Sequence, residues 1–111
     1  MFCFHEKLVE TDLGNGVRLK SLGAGANMNV LHWDMADRST VPSHHHPQEQ
    51  FGYVIRGGFE MTIGTETATL TAGDCYFIPA DVPHCFTAIG ATEAIDVFSP
   101  VRHGLPGEKA E

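Results

Sequence analysis

The sequence predicts an all-β fold, a sandwich or jelly roll, and three observations carry that prediction. Apolar residues recur with period two in segment after segment, glycine and proline interrupt those segments at short intervals, and helical periodicity is absent. At 111 residues the chain reads as one domain, residues 1–111, with room for a single modest core.

The elements can be justified in order. Gly23-Ala24-Gly25-Ala26-Asn27 has the small residues of a dinucleotide loop, but no helix follows, so it reads as a connection between strands. Asn29 to Met35 alternates and reads as a strand. Gln50 to Arg56 is another, closed by Gly57-Gly58; Phe59 to Ile63 alternates strictly and turns at Gly64-Thr65-Glu66 into Thr67 to Leu70. Ala72-Gly73-Asp74 is a turn leading to Cys75 to Ile78, which stops at Pro79. His84 to Ala88 and Ala94 to Ser99 supply two more strands, and residues 104–111 form a loose tail.

Composition narrows the function. No apolar run approaches the roughly 20 residues that cross a bilayer. The start of the chain lacks the basic stretch and apolar core of a signal peptide, so the expectation is a cytoplasmic protein. Three cysteines, Cys3, Cys75 and Cys85, do not make a disulfide framework and agree with a reducing compartment. A net charge of -7 with no cluster of Lys or Arg argues against nucleic acid as a partner. Any positive charge in a pocket must therefore be local, with Arg56 and Arg102 as the nearest candidates.

The chemistry concentrates in His44-His45-His46-Pro47-Gln48-Glu49-Gln50 and Pro83-His84. On an extended strand His44 and His46 point to one side and His45 to the other, and Gln50 keeps the parity across a short interruption. With His84 they make three imidazoles and an amide oxygen. That set suits one divalent transition metal, Ni, Zn, Mn, Co or Fe, and spacing alone does not choose among them. Cys85 should face away from His84 and is read as a thiol outside the site. His5, His32 and His103 lack any such context.

The strand from Gln50 to Arg56 has two faces. If Gln50, Gly52 and Val54 look inward, then Phe51, Tyr53 and Ile55 look outward, an apolar set that predicts a homodimer. Asp96 and Phe98 likewise share a strand face. An inward Asp96 must be paired or functional; an ion pair with Arg102 is the structural reading, and catalysis beside a metal is the functional one.

His44-x-His46-x3-Gln50-x6-Gly57, followed by Gly73-x5-Pro79-x3-Pro83-His84, resembles the two signature motifs of the cupin superfamily, over about residues 30–102. The resemblance implies a double-stranded β-helix, or jelly-roll barrel. Three positions depart from the pattern: Gln50 replaces Glu, Asp81 replaces Gly, and Ala88 replaces Asn. Gln50 with the terminal Asp96-Val97-Phe98-Ser99-Pro100-Val101-Arg102 is similar to the pectin-degradation (KdgF-like) cupins. Those proteins open the ring of 4,5-unsaturated uronates, from pectin or alginate, to linear 4-deoxy-5-keto uronates. The resemblance implies catalytic roles for Asp96, Phe98 and Arg102, a small anionic sugar or organic acid as ligand, and no redox change or organic cofactor. An iron-dependent cupin dioxygenase and a non-catalytic small-acid or sugar-binding cupin are the alternatives, since this fold hosts many reactions.

Overall fold

A computed structural model describes residues 2–103. The expected tail, residues 104–111, lies outside the described residues. After a short 3-10 turn at His5–Lys7 come ten strands: β1 (Glu10–Gly14), β2 (Val17–Ala24), β3 (Asn29–Met35), β4 (Thr40–His44), β5 (Glu49–Arg56), β6 (Gly58–Ile63), β7 (Glu66–Thr71), β8 (Cys75–Ile78), β9 (His84–Ala88) and β10 (Thr92–Ser99). They form two antiparallel sheets, one ordered β1-β2-β3-β10-β5-β8 and the other β4-β9-β6-β7. This is the predicted all-β jelly roll.

Seven strands fall where the period-two pattern places them. Three do not appear among the expected elements. β2 alternates only briefly, with Val17 and Leu19 buried before the register shifts near Gly23; β1 is mostly exposed, and β4 has a half-buried, irregular pattern. The expected connection at Gly23–Asn27 is shorter than the sequence implies: Gly23 and Ala24 complete β2, paired with Val30 and Asn29, and the connection that follows is closed by a Gly25 N–H to Met28 carbonyl bond of 2.7 Å.

The core lies between the sheets. Leu31, Val54, Phe59, Ile78 and Phe98 are each no more than 1% exposed. β10 buries Thr92, Ala94, Asp96 and Phe98 while Glu93, Ile95, Val97 and Ser99 face outward. Phe98 and Asp96 thus enter the barrel together, on the strand in the middle of the larger sheet.

Two backbone positions bear on the motif. Gly57 has φ +75, and a Cβ there would come 2.3 Å from the Ala91 carbonyl oxygen, so the turn between β5 and β6 requires glycine. Asp81, which stands where the cupin pattern has Gly, has φ 62. Aspartate tolerates the left-handed region better than most residues, so the departure keeps the turn that aims His84.

The outward face of β5 is apolar and uncovered, as expected. Phe51, Tyr53 and Ile55 are 43%, 44% and 39% exposed, joined by Phe77 at 54%. Neither the second sheet nor the described N-terminal segment covers them. Among the described residues, no helix is long and apolar enough to cross a membrane.

Candidate metal centre

His44 closes β4 and His84 opens β9, and the two are direct cross-strand partners in the smaller sheet. His46 does not share a strand with His44; β4 has ended, and His46 sits in the connection to β5. Gln50 lies on β5, in the larger sheet. The motif therefore crosses the barrel from one sheet to the other, and the side chains converge because the chain folds over, not because strand parity is kept. His45 is exposed and points away, as the spacing implies.

The rings of His44, His46 and His84 are close: their centroids lie 4.2, 4.9 and 5.7 Å apart. One nitrogen from each falls within 4.8 Å of the others, a group able to hold a metal ion. Each Nδ1 contacts a backbone carbonyl: His44 with Pro42 at 2.9 Å, His46 with Gln48 at 3.0 Å, His84 with Val82 at 2.9 Å. A carbonyl only accepts, so each Nδ1 carries the proton and donates. In the neutral rings all three Nε2 atoms are left as bare lone pairs, oriented by these bonds as metal-ligating histidines usually are.

Burial keeps the two inner rings neutral. Desolvation lowers the pKa of His84 to about 4, helped by His44, His46 and Arg102 and opposed by its bond to Val82. Desolvation and then Arg102 also pull His46 below its ordinary value. His84 Nε2 is buried with no hydrogen-bond partner. His46 Nε2 lies 3.1 Å from Gln50 Oε1, two acceptors face to face. A cation between them resolves both anomalies, so the donor set fits a divalent transition metal held by His44, His46, His84 and Gln50.

Beside this group Asp96 is 1% exposed. Burial raises its carboxyl to about 6, against donors on Tyr76, Gln50 and Trp33 and the charge of Arg102, which all favour the ionised form. The Tyr76 hydroxyl donates to Asp96 Oδ1 at 2.5 Å. Asp96 Oδ2 and Trp33 Nε1 are buried without an aligned partner, so the indole and the Gln50 amide bias the carboxyl electrostatically without completing bonds to it. The structural ion pair of Asp96 with Arg102 is not formed: among the described residues, no salt bridge joins them, and Tyr76 is the direct partner. Arg102 instead stacks over Phe98, 5.1 Å from the ring centroid, with its backbone N–H held by Asn29 Oδ1 at 2.7 Å.

A cavity of about 280 Å³ opens beside the centre. Its polar end carries His44, Gln50, Asp96 and Arg102, and its walls are Leu13, Leu19, Trp33, Val41, Pro42, Phe86 and Phe98. Arg56, the other candidate for local positive charge, is elsewhere: it is exposed on the outer face, 4.0 Å from Asp34. Cys85 is half-buried and unpaired, on the strand face opposite His84, and takes no part.

Two features escape sequence reading. Tyr76 could have been found from β8, where Tyr76 and Ile78 alternate inward, but its partner depends on cross-strand register. His32, with Asp34 and Glu93, forms a second cluster on the outer face, His32 Nε2 lying 2.7 Å from Glu93. The His32 ring set between two carboxylates, with Arg56 4.0 Å from Asp34, is an ordinary outer-face polar cluster.

Comparisons agree with this geometry. The Cupin domain family matches residues 31–98. An RmlC-like cupin from Shewanella frigidimarina NCIMB 400 superposes with a TM-score of 0.88 at 29% identity, covering 92% of each chain. KdgF from Halomonas sp. gives the same TM-score, 0.88, at 25% identity over 93% of this chain and 96% of that one. H2HPP isomerase of Bacillus subtilis is 37% identical over 70% of this chain, which spans only 32% of that protein. The chain belongs to the cupin family.

Proposed function

We propose that the protein is a metal-dependent, non-redox cupin enzyme that opens the ring of 4,5-unsaturated uronates to linear 4-deoxy-5-keto uronates. The observation that carries this reading is a cluster of three imidazoles that reaches one cavity through His44, where a buried carboxyl with an unpartnered oxygen and a half-buried guanidinium also stand. The similarity to KdgF over nearly the whole chain supports it. A divalent ion on this donor set would supply Lewis acidity toward the carboxylate and enolic oxygens of such a substrate.

The residues divide the remaining work. Arg102, fixed by its stacking on Phe98, offers a paired donor set to the uronate carboxylate. Asp96 takes the proton from the anomeric hydroxyl as the ring C–O bond breaks, and returns a proton to the enol carbon, leaving the ketone. A carboxyl whose pKa stands at about 6 can act in both directions near neutrality. Phe98 and the aliphatic walls hold the sugar ring and keep water from the site. Purified protein should abolish the ultraviolet absorbance of an unsaturated uronate with accumulation of the linear keto acid. Thermal stabilisation by the uronate without turnover would instead identify a binding protein, and oxygen uptake would identify a dioxygenase.

The enzyme is further proposed to be a homodimer in which a second copy covers the outer sheet face. Cross-strand pairing joins Val30, Val97, Phe51 and Phe77 into one uncharged row, while Asp34, Glu93 and Arg56 stand toward the other end. The four most exposed side chains offer roughly 350 Å² if each presents about 200 Å² when free. That is nearly half of the ~800 Å² per partner in a stable interface, with charge left for the rim. Sedimentation should give a dimer that Phe51→Glu with Phe77→Glu converts to a folded monomer; a monomeric wild type would refute the interface.

A further inference from the structure

A glutamine ligand has a wrong end. If the NH2 of Gln50 faced His46, it would donate to the bare Nε2 and block the metal position; the oxygen faces it instead, at 3.1 Å. Something must hold the amide in that orientation, and the register of the larger sheet shows what does.

Asp96 on β10, Gly52 on β5 and Tyr76 on β8 stand side by side across three adjacent strands. Gly52 has no side chain, and the Tyr76 ring occupies the space: a Cβ at Gly52 would lie 1.9 Å from Tyr76 Cζ. Through that gap the Tyr76 hydroxyl crosses β5 and donates to Asp96 Oδ1. Asp96 Oδ2 is left buried without a hydrogen-bond partner, and the Gln50 amide and the Trp33 indole are near enough to favour the charged carboxylate. Carboxylate oxygens attract the NH2 end of an amide and repel the C=O end. Tyr76 does not line the cavity, and its hydroxyl bonds to Asp96, which does.

We infer that Tyr76 is a positioning residue for the metal centre: by holding Asp96 across the gap at Gly52, it turns the Gln50 oxygen toward His44, His46 and His84. The arrangement forms a line from the sheet edge to the centre, Tyr76 to Asp96 to Gln50 to His46. Oriented groups behind metal ligands typically change affinity by about 10–100-fold when lost. Removing one hydroxyl at the far end of the line should therefore register at the lower end of that range.

The test is the affinity for Zn²⁺ and for Ni²⁺ alone, by competition with a chromophoric chelator and without substrate. It rests on the metal-site part of the proposed function but not on the uronate reaction, so an inactive yet metal-binding enzyme leaves it standing. Tyr76→Phe keeps the ring over Gly52 and should weaken binding about 10-fold. In a Gln50→Ala background the same change should cost less than about twofold, because no amide remains to be oriented. A purely structural role would instead persist in that background. Affinity for Tyr76→Phe within about twofold of wild type, or an undiminished loss in the Gln50→Ala background, would overturn the inference. Should Tyr76→Phe fail to fold, Asp96→Asn carries the same expectation in the same two backgrounds. Failure of the wild type to bind either ion would overturn it together with the site.

Discussion

Asp96→Asn is expected to lower turnover of the unsaturated uronate by about 10²–10⁴-fold at saturating metal, the usual contribution of a positioned proton donor and acceptor. The asparagine is nearly isosteric and can still accept from Tyr76, so the fold and the imidazole set survive. The loss should fall mainly on kcat, since Arg102 and Phe98, which would hold the substrate, are unchanged. Retained activity would remove Asp96 from the reaction.

The same variant has a signature independent of catalysis. Burial raises the Asp96 carboxyl to about 6 from an ordinary 3.8, so the folded protein holds this proton more tightly than the unfolded chain does. Stability from this group is therefore present below about pH 4 and is lost as the pH rises through about 6. In metal-free protein, the wild type should weaken relative to Asp96→Asn over that window, by as much as about 3 kcal/mol. Urea denaturation at pH 4, 5, 6 and 7 measures it; a constant difference would mean that Asp96 does not titrate in the fold.

The second large effect belongs to His84→Ala. His84 is 1% exposed, and its unpartnered Nε2 is one of the bare nitrogens of the centre. Its removal should weaken metal binding by more than about 100-fold, beyond what loss of a merely supporting group costs. His45→Ala, on the neighbouring exposed ring, should leave affinity unchanged. The pair separates ligation from a general effect of removing imidazole. Equal losses in the two variants would show that the motif does not bind through the residues assigned here.

Much of this candidate centre was legible in the sequence because its donor residues are local. His44, His46 and Gln50 lie within a few residues, and Pro83-His84 follows its own turn. The route by which they converge was less legible. Strand parity suggested one continuous surface, whereas β4 ends at His44 and Gln50 belongs to the opposite sheet. The alternation of β5 and β10 did locate the inward Gln50, Asp96 and Phe98 and the outward Phe51, Tyr53 and Ile55.

What stayed hidden was set by pairing between distant strands. Nothing in the chain marks Tyr76 as the partner of Asp96, 20 residues away, until Gly52 is placed between them. His32 and Glu93 are 61 residues apart and meet only because β3 and β10 are neighbours. Arg56 illustrates the converse: close in sequence to the motif, it sits on the outer face, beyond a register shift between β5 and β10. Sequence proximity points to candidate donors, but register decides what surrounds them.

Elemental analysis of the purified protein, before and after incubation with excess divalent ion and removal of the unbound fraction, shows directly whether His44, His46, Gln50 and His84 hold a metal. About one nickel, zinc, manganese, cobalt or iron ion per chain is expected, as imidazole and amide donors of this type would hold. A wild-type protein that retains none of these ions after loading would contradict that expectation.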